Sequence, residues 1–272
     1  MTYTLKREEL GEGLLASVLE ALAKAYKEIG AEVYVVGAAA RDLSLKLLGA
    51  GSAPRRTMDL DVAVLLEKWD EYERLTEILI KDGFVKAPEK QRFYYCGIEN
   101  VRYEVDIVPF GDIAQEEMVA WPPEGNPVMS VRCFADVMKN ADEVSVEDRF
   151  DFRMASLSGQ WLIKLDAWCD RRLMTRKDAA DMQFILENAY ITLALSSDSI
   201  PGTISLDVST FDQTVAGAEW IASDLLNILS EDHKVYYADM LDNEVAQQDN
   251  AVIGTYDSIR RALARMSQIL RR

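Results

Sequence analysis

The chain is poor in the residues that most often announce a reactive centre. It holds one histidine, His233, and three cysteines, Cys96, Cys133 and Cys169, in 272 residues. A lone imidazole in a polar stretch has no convergent partners in the sequence and reads as solvated and incidental. The cysteines stand far apart, without metal-ligand spacing, which fits reduced structural thiols and predicts a cytoplasmic protein. No apolar run approaches the length of a membrane span, so no membrane partner is expected, and Met1 to Glu9 is charged where a leader would be apolar. Positive charge is also short: 30 Lys and Arg stand against 46 Asp and Glu, a formal net charge of −16. Such a field repels polyanions and disfavours a protein that coats nucleic acid without specificity. Two local basic groups remain, Arg171, Arg172, Arg176 and Lys177, and the terminal set Arg260, Arg261, Arg265, Arg271 and Arg272. The terminal set reads as solvated.

What is present is an ordinary globular composition, 49% hydrophobic and 28% charged, long enough for one large domain or two modest ones. Leu10, Leu14, Leu15, Val18, Leu22 and Tyr26 recur at helical spacing and predict a helix over 8–29, stopped by Gly30. Val33 to Gly37 reads as a buried strand, Ala38 to Leu48 as a helix, and Gly49 to Pro54 as a loop. Met58 to Leu66 reads as a second strand and 69–82 as an amphipathic helix ended by Gly83. Phe93 to Cys96 and Val101 to Pro109 predict a hairpin around Gly97 to Asn100. Pro122, Pro123, Gly125 and Pro127 mark a long connection, and 128–154 carries no clear period. Helices are then predicted over 158–173, 177–190, 212–230, 233–247 and 251–271, with a loop at 196–203. The expected fold is therefore mixed α/β (α+β): an α/β domain over 1–125 and a helical domain over 126–272.

Asp59-Leu60-Asp61 is the informative feature. On a strand, residues two apart share a face, so both carboxylates project side by side. Adjacent anions repel unless a cation lies between them, and hard oxygen donors suit Mg²⁺. Asp106, flanked by Val105 and Ile107, offers a third carboxylate on a later strand. Three such groups would serve two-metal phosphoryl transfer, with the third also able to deprotonate an acceptor hydroxyl. Upstream, the strand that ends at Gly37 and the helix that follows allow close approach of a triphosphate to free backbone N–H groups. On Asp59 and Asp61 alone, the polar face of an edge strand is the more usual reading.

Val35-Val36-Gly37-Ala38-Ala39-Ala40-Arg41-Asp42, Asp59-Leu60-Asp61-Val62 and Val105-Asp106-Ile107 together resemble the nucleotidyltransferase superfamily built on the polymerase-β-type core. Gly37 and Arg41-Asp42 look like the heads of tRNA nucleotidyltransferases and poly(A) polymerases, and of abortive-infection AbiE-type toxins. Further on, Lys164 and Arg171 are two helical turns apart, and Asp178 and Asp181 follow at helical spacing. These resemble the Lys-x6-Arg and Asp-x-x-Asp segments of the AbiE-type toxin nucleotidyltransferases. The resemblance implies two Mg²⁺ ions on Asp59, Asp61 and Asp106, an NTP substrate at Gly37, Ala38 and Arg41, Lys164 on its phosphates with Arg171 in support, and Asp178 and Asp181 organising the site. The last two aspartates also suit a plain helix-end role. Trp161 and Trp168 read as core. Alanine stands at position 38, where glycine or serine is usual, and gives the triphosphate a backbone N–H but no hydroxyl.

The expected function is transfer of a nucleoside monophosphate from an NTP to an acceptor hydroxyl, and the resemblance to the AbiE-type proteins implies the toxin of a toxin–antitoxin pair. The acceptor is a tRNA 3′ end, a protein or a small antibiotic-like molecule, and an antitoxin is a possible partner. Ala38 keeps a second class open, an idle nucleotidyltransferase fold that serves as a binding module.

Overall fold

The computed structural model describes residues 1–11, 14–49, 59–96, 102–247 and 257–272. The chain divides into two compact units, residues 1–43 with 53–155 and residues 44–52 with 156–272. It is mixed α/β, with a mixed sheet and a helical C-terminal part.

The first unit is organised on an eight-stranded sheet. Its strands are β1 (Thr2–Leu5), β2 (Tyr34–Val36), β3 (Asp59–Leu65), β4 (Phe84–Lys86), β5 (Arg92–Cys96), β6 (Arg102–Phe110), β9 (Asp142–Val146) and β10 (Phe150–Met154), in the order β1-β9-β10-β2-β3-β6-β5-β4. The short strands β7 (Met118–Ala120) and β8 (Val128–Ser130) pair separately across the proline-rich connection. Leu60, Val62 and Val64 on β3 and Val105 and Ile107 on β6 are fully buried, so the two central strands are anchored by one face. Helix α1 (Leu15–Glu28) buries Val18, Leu19, Leu22 and Tyr26, and α3 (Trp69–Lys81) buries Tyr72, Leu75 and Leu79. Helix α2 (Gly37–Leu47) starts directly from β2, at Gly37 itself.

Several elements differ from the sequence expectation. The helix foreseen over 8–29 is a short 3-10 turn, Arg7–Leu10, followed by α1, with Gly11 at φ 95° behind the turn. Residues 12 and 13, Met58, the expected turn Gly97 to Asn100 and Val101 lie outside the described residues; β5 and β6 do pair antiparallel. Residues 128–154, which show no clear period, carry β8, the short helix α4 (Phe134–Lys139), β9 and β10. Residues 126–155 thereby go with the sheet unit, whereas the sequence places the division at 125. The hairpin β9–β10 turns through Glu147 and Asp148, at φ 50° and 55°, a conformation for which Asn and Gly are the usual signal.

The second unit is helical. Helices α5 (Leu157–Arg171), α6 (Lys177–Ser196), α7 (Gln213–Ile228), α8 (Glu231–Ala246) and α9 (Asp257–Leu270) all lie within or near the predicted spans. Side-chain oxygens of Ser156, Asp212 and Ser230 accept N–H groups at the starts of α5, α7 and α8, which fixes where each begins. Trp161, Trp168, Leu186, Ile221, Tyr237 and Leu263 form the interior. A side chain at Gly217 would come within 2.3 Å of the Leu186 carbonyl oxygen, so α6 and α7 approach backbone to backbone there. Among the described residues no helix is long and apolar enough to cross a membrane.

Candidate active site

The candidate site lies on one face of three adjacent strands. Burial of Leu60 and Val62 turns Asp59 and Asp61 to the other face of β3, and burial of Tyr103, Val105 and Ile107 turns Glu104 and Asp106 the same way on β6. Because β3 and β6 are parallel and in register, Asp61 is paired with Asp106 and Asp59 with Glu104. The antiparallel β5 extends both rows, with Arg92 opposite Asp106 and Tyr94 opposite Glu104. Asp106, far from Asp59 and Asp61 in sequence, thus comes to the same face on the adjacent strand. Glu104 joins them and was not singled out in the sequence, although Glu104-Val105-Asp106 repeats the spacing of Asp59-Leu60-Asp61.

Asp61 reaches back over the start of α2. Gly37, paired near Asp61 through Val36, sits at φ 69°, and a Cβ built on it would stand 2.1 Å from Asp61 Oδ2. The carboxylate therefore occupies space that only glycine leaves open. Ala38 is half-buried in the first turn of α2. Arg41, expected to face a nucleotide, is 8% exposed, and its guanidinium donates to the Asp42 carboxylate at 2.8 and 2.9 Å.

Arg92 is the second residue that sequence reading missed. Its Nε and Nη2 donate to the two oxygens of Asp106 at 2.8 and 2.9 Å, and Nη2 also lies 2.8 Å from Glu104. The bonds it donates to Asp106 hold the guanidinium above its ordinary range, against the cost of burial. Burial lifts the Glu104 carboxyl against the pull of Arg92, and the nearby charges of Asp106 and Asp59 push it the same way. On the neighbouring β4, burial and the charge of Lys90 lower the Lys86 ammonium to about 8, while Asp106 opposes the shift. Lys86 Nζ lies 4.0 Å above the Phe93 ring.

Among the described residues, no group of three or more His, Cys, Asp or Glu side chains is placed to hold a metal ion. The donor set nevertheless suits one hard cation. Mg²⁺ is commonly taken by one or two carboxylates and keeps its other positions for water and phosphate oxygens. Asp59 and Asp61 offer hard oxygen donors on one face, and the missing side chain at Gly37 leaves Asp61 its room.

The remaining predicted residues gather in the helical unit. Asp178, in the first turn of α6, has no exposed side-chain surface. Arg171 donates to both its oxygens at 2.7 Å, and Lys164 lies 3.4 Å from Asp178 and 2.9 Å from Asp181. Burial draws the Asp178 carboxyl upward, but Arg171 and Lys164 outweigh it and hold the group below the usual carboxylate range. The four residues thus form one ion-pair cluster. Trp161 and Trp168 are core. The terminal basic set is largely exposed but also ion-paired: Arg261 pairs with Asp212, Arg265 with Glu219, and Arg271 with Asp239 and Asp242. A cavity of about 1120 Å³ in the sheet unit, lined by Glu20, Lys24, Glu143, Arg149 and Arg153 among others, contains none of the predicted residues.

No protein-family model and no curated protein matches the chain. Solved structures similar to it include the lincosamide antibiotic adenylyltransferase LnuA bound to lincomycin, at 15% identity and TM-score 0.35, over 58% of this chain and 88% of that one. JHP933 from Helicobacter pylori matches at 15% identity and TM-score 0.33, over 98% and 92% of the two chains. A CCA-adding enzyme in complex with CTP matches at 13% identity and TM-score 0.30, over 96% and 68%. Nucleotidyltransferases are therefore among its structural neighbours. Likeness of this size says nothing about the chemistry at Asp59 and Asp61, which rests on the residues themselves.

Proposed function

We propose that the chain is a metal-dependent nucleotidyltransferase that moves a nucleoside monophosphate from an NTP to an acceptor hydroxyl and releases pyrophosphate. The observation that carries this reading is the pairing of Asp61 with Asp106 across parallel strands, with Asp59 on the same face and Gly37 opening space beside Asp61. When bound at Asp59 and Asp61, Mg²⁺ would supply positive charge to the NTP phosphates. The first turn of α2, at Gly37 and Ala38, would turn backbone N–H groups that have no partner within the helix toward the same phosphates. Asp106, oriented by Arg92, would accept the proton of the acceptor hydroxyl. The acceptor oxygen then bonds to the α-phosphorus as the bond from that phosphorus to the bridging oxygen breaks, and pyrophosphate leaves with that electron pair. For Arg41, Lys164, Arg171, Asp178 and Asp181 the proposal retains the roles implied by the resemblance and rests there on the resemblance alone.

The proposed acceptor is a tRNA 3′ end, with a protein or a small antibiotic-like molecule as the other outcomes of the test. Incubation with each NTP labelled at the α-phosphate, in cell lysate, should leave label on one class of species. Asp59→Asn with Asp61→Asn should abolish labelling while the circular dichroism spectrum stays unchanged. Undiminished labelling by the folded double variant would overturn the reading. Growth arrest on expression, relieved by a neighbouring gene product, would support the toxin role.

A further inference from the structure

The third carboxylate of the acidic face is not presented as a metal ligand would be. Arg92 takes both oxygens of Asp106 in a two-pronged fork, at 2.8 and 2.9 Å, and reaches Glu104 with the same Nη2 at 2.8 Å. One planar cation thereby serves the whole acidic pair of β6 through charge-assisted bonds to three carboxylate oxygens. The fork is built into the sheet: Arg92 is the register partner of Asp106 on β5, and Asp106 is that of Asp61 on β3. The side chains of Arg92 and Asp106 are 25% and 20% exposed, so the pair is partly withdrawn from water and its attraction is screened less than at the surface. The row Asp61–Asp106–Arg92 therefore sets a cation beside the second of two adjacent carboxylates, while Asp59 and Asp61 share one face of β3.

We propose that this site takes one divalent cation, on Asp59 and Asp61, and that the Arg92 guanidinium stands in for a second by holding Asp106 and Glu104. The inference rests on the reading of Asp59 and Asp61 as metal ligands. Arg92 is in this sense a positioning residue: it aims the Asp106 carboxylate and excludes it from metal coordination. It also differs from a metal ion in that it cannot be removed by a chelator.

The test counts ions on the full chain, with Mn²⁺ alone as the probe, read by paramagnetic resonance of the free ion at physiological ionic strength. The wild type should bind one Mn²⁺ above the weak background left by the Asp59→Asn, Asp61→Asn double variant. Arg92→Gln, which frees the β6 carboxylates, should bind two. Arg92→Lys, which keeps a cation on β5, should still bind one, and it guards against a glutamine variant that fails to fold. Two ions on the wild type, or one on a folded Arg92→Gln, would overturn the role of Arg92. Unchanged Mn²⁺ binding in the double variant would instead overturn the ligand assignment beneath it.

Discussion

Gly37 stands where β2 gives way to α2, and two separate demands meet on it. Its φ of 69° is costly for any residue with a side chain, and a Cβ would stand 2.1 Å from Asp61 Oδ2. The backbone cost alone is about 1–2 kcal/mol, and relief of the clash must come from moving the Asp61 carboxylate. Gly37→Ala should therefore lower stability in urea unfolding by about that amount and weaken Mn²⁺ binding at the same time. A variant that loses stability but binds Mn²⁺ as before would show that Asp61 is not a ligand. At this scale the sequence was partly legible. Asp59, Asp61 and Asp106 could be read because strand alternation fixes the face of each residue. Glu104 could have been read the same way, from its spacing to Asp106. Arg92 could not, because its meaning comes from cross-strand register, which depends on a turn and not on local pattern.

The pair α5 and α6 shows how an element is fixed by charge as well as by its apolar face. Asp178 is fully buried and is held by Arg171 at 2.7 Å and Lys164 at 3.4 Å. Removing Arg171 leaves a buried carboxylate with one longer contact. Since Arg171 itself is half exposed, Arg171→Met should cost about 2 kcal/mol, below the range for a wholly buried pair. The sign of the pH effect follows from the depressed Asp178 carboxyl. Its stabilising contribution is fully present above the unfolded value near pH ~3.9 and is lost as pH falls through the lower folded value. The Arg171→Met variant should thus lose stability less steeply than wild type on acidification below about pH 4, measured by urea unfolding across that window. An acid limb as steep as that of wild type would count against the ion-pair account. Helices α5 to α9 were visible in the sequence through long apolar periods and caps such as Ser156 and Asp212. The strands β9 and β10 were not, although Val144, Val146, Phe150 and Phe152 alternate. Each is short, and Glu147 and Asp148 fill a turn whose usual residues are absent.

Over the whole molecule the acidic excess is partly spent on internal pairing. Buried Glu219 and Glu244 are met by Arg265 and Arg172, and the terminal arginines that resemble a polyanion patch face aspartates. Such pairing leaves the net charge of −16 unchanged, and that excess repels itself. Raising monovalent salt from low to physiological strength should therefore raise the melting temperature, because screening removes more repulsion than it costs in exposed ion pairs of small worth. A falling melting temperature would mean that the ion pairs dominate. The same field predicts that duplex DNA binds more weakly than ~10⁻⁴ M at physiological salt, which a fluorescence-anisotropy titration would check. An RNA acceptor would have to be held through a few specific contacts, with a correspondingly shallow dependence on salt.

The edge strand β1 adds a matter of timing. It has a single neighbour, β9, and the paired residues Thr2 and Glu143 are 141 positions apart. On a ribosome that adds roughly 5–20 residues per second, β1 would wait on the order of 7–28 s for β9. The backbone donors and acceptors of β1 lack their sheet partner in that interval, which leaves the strand open to capture by a holding chaperone.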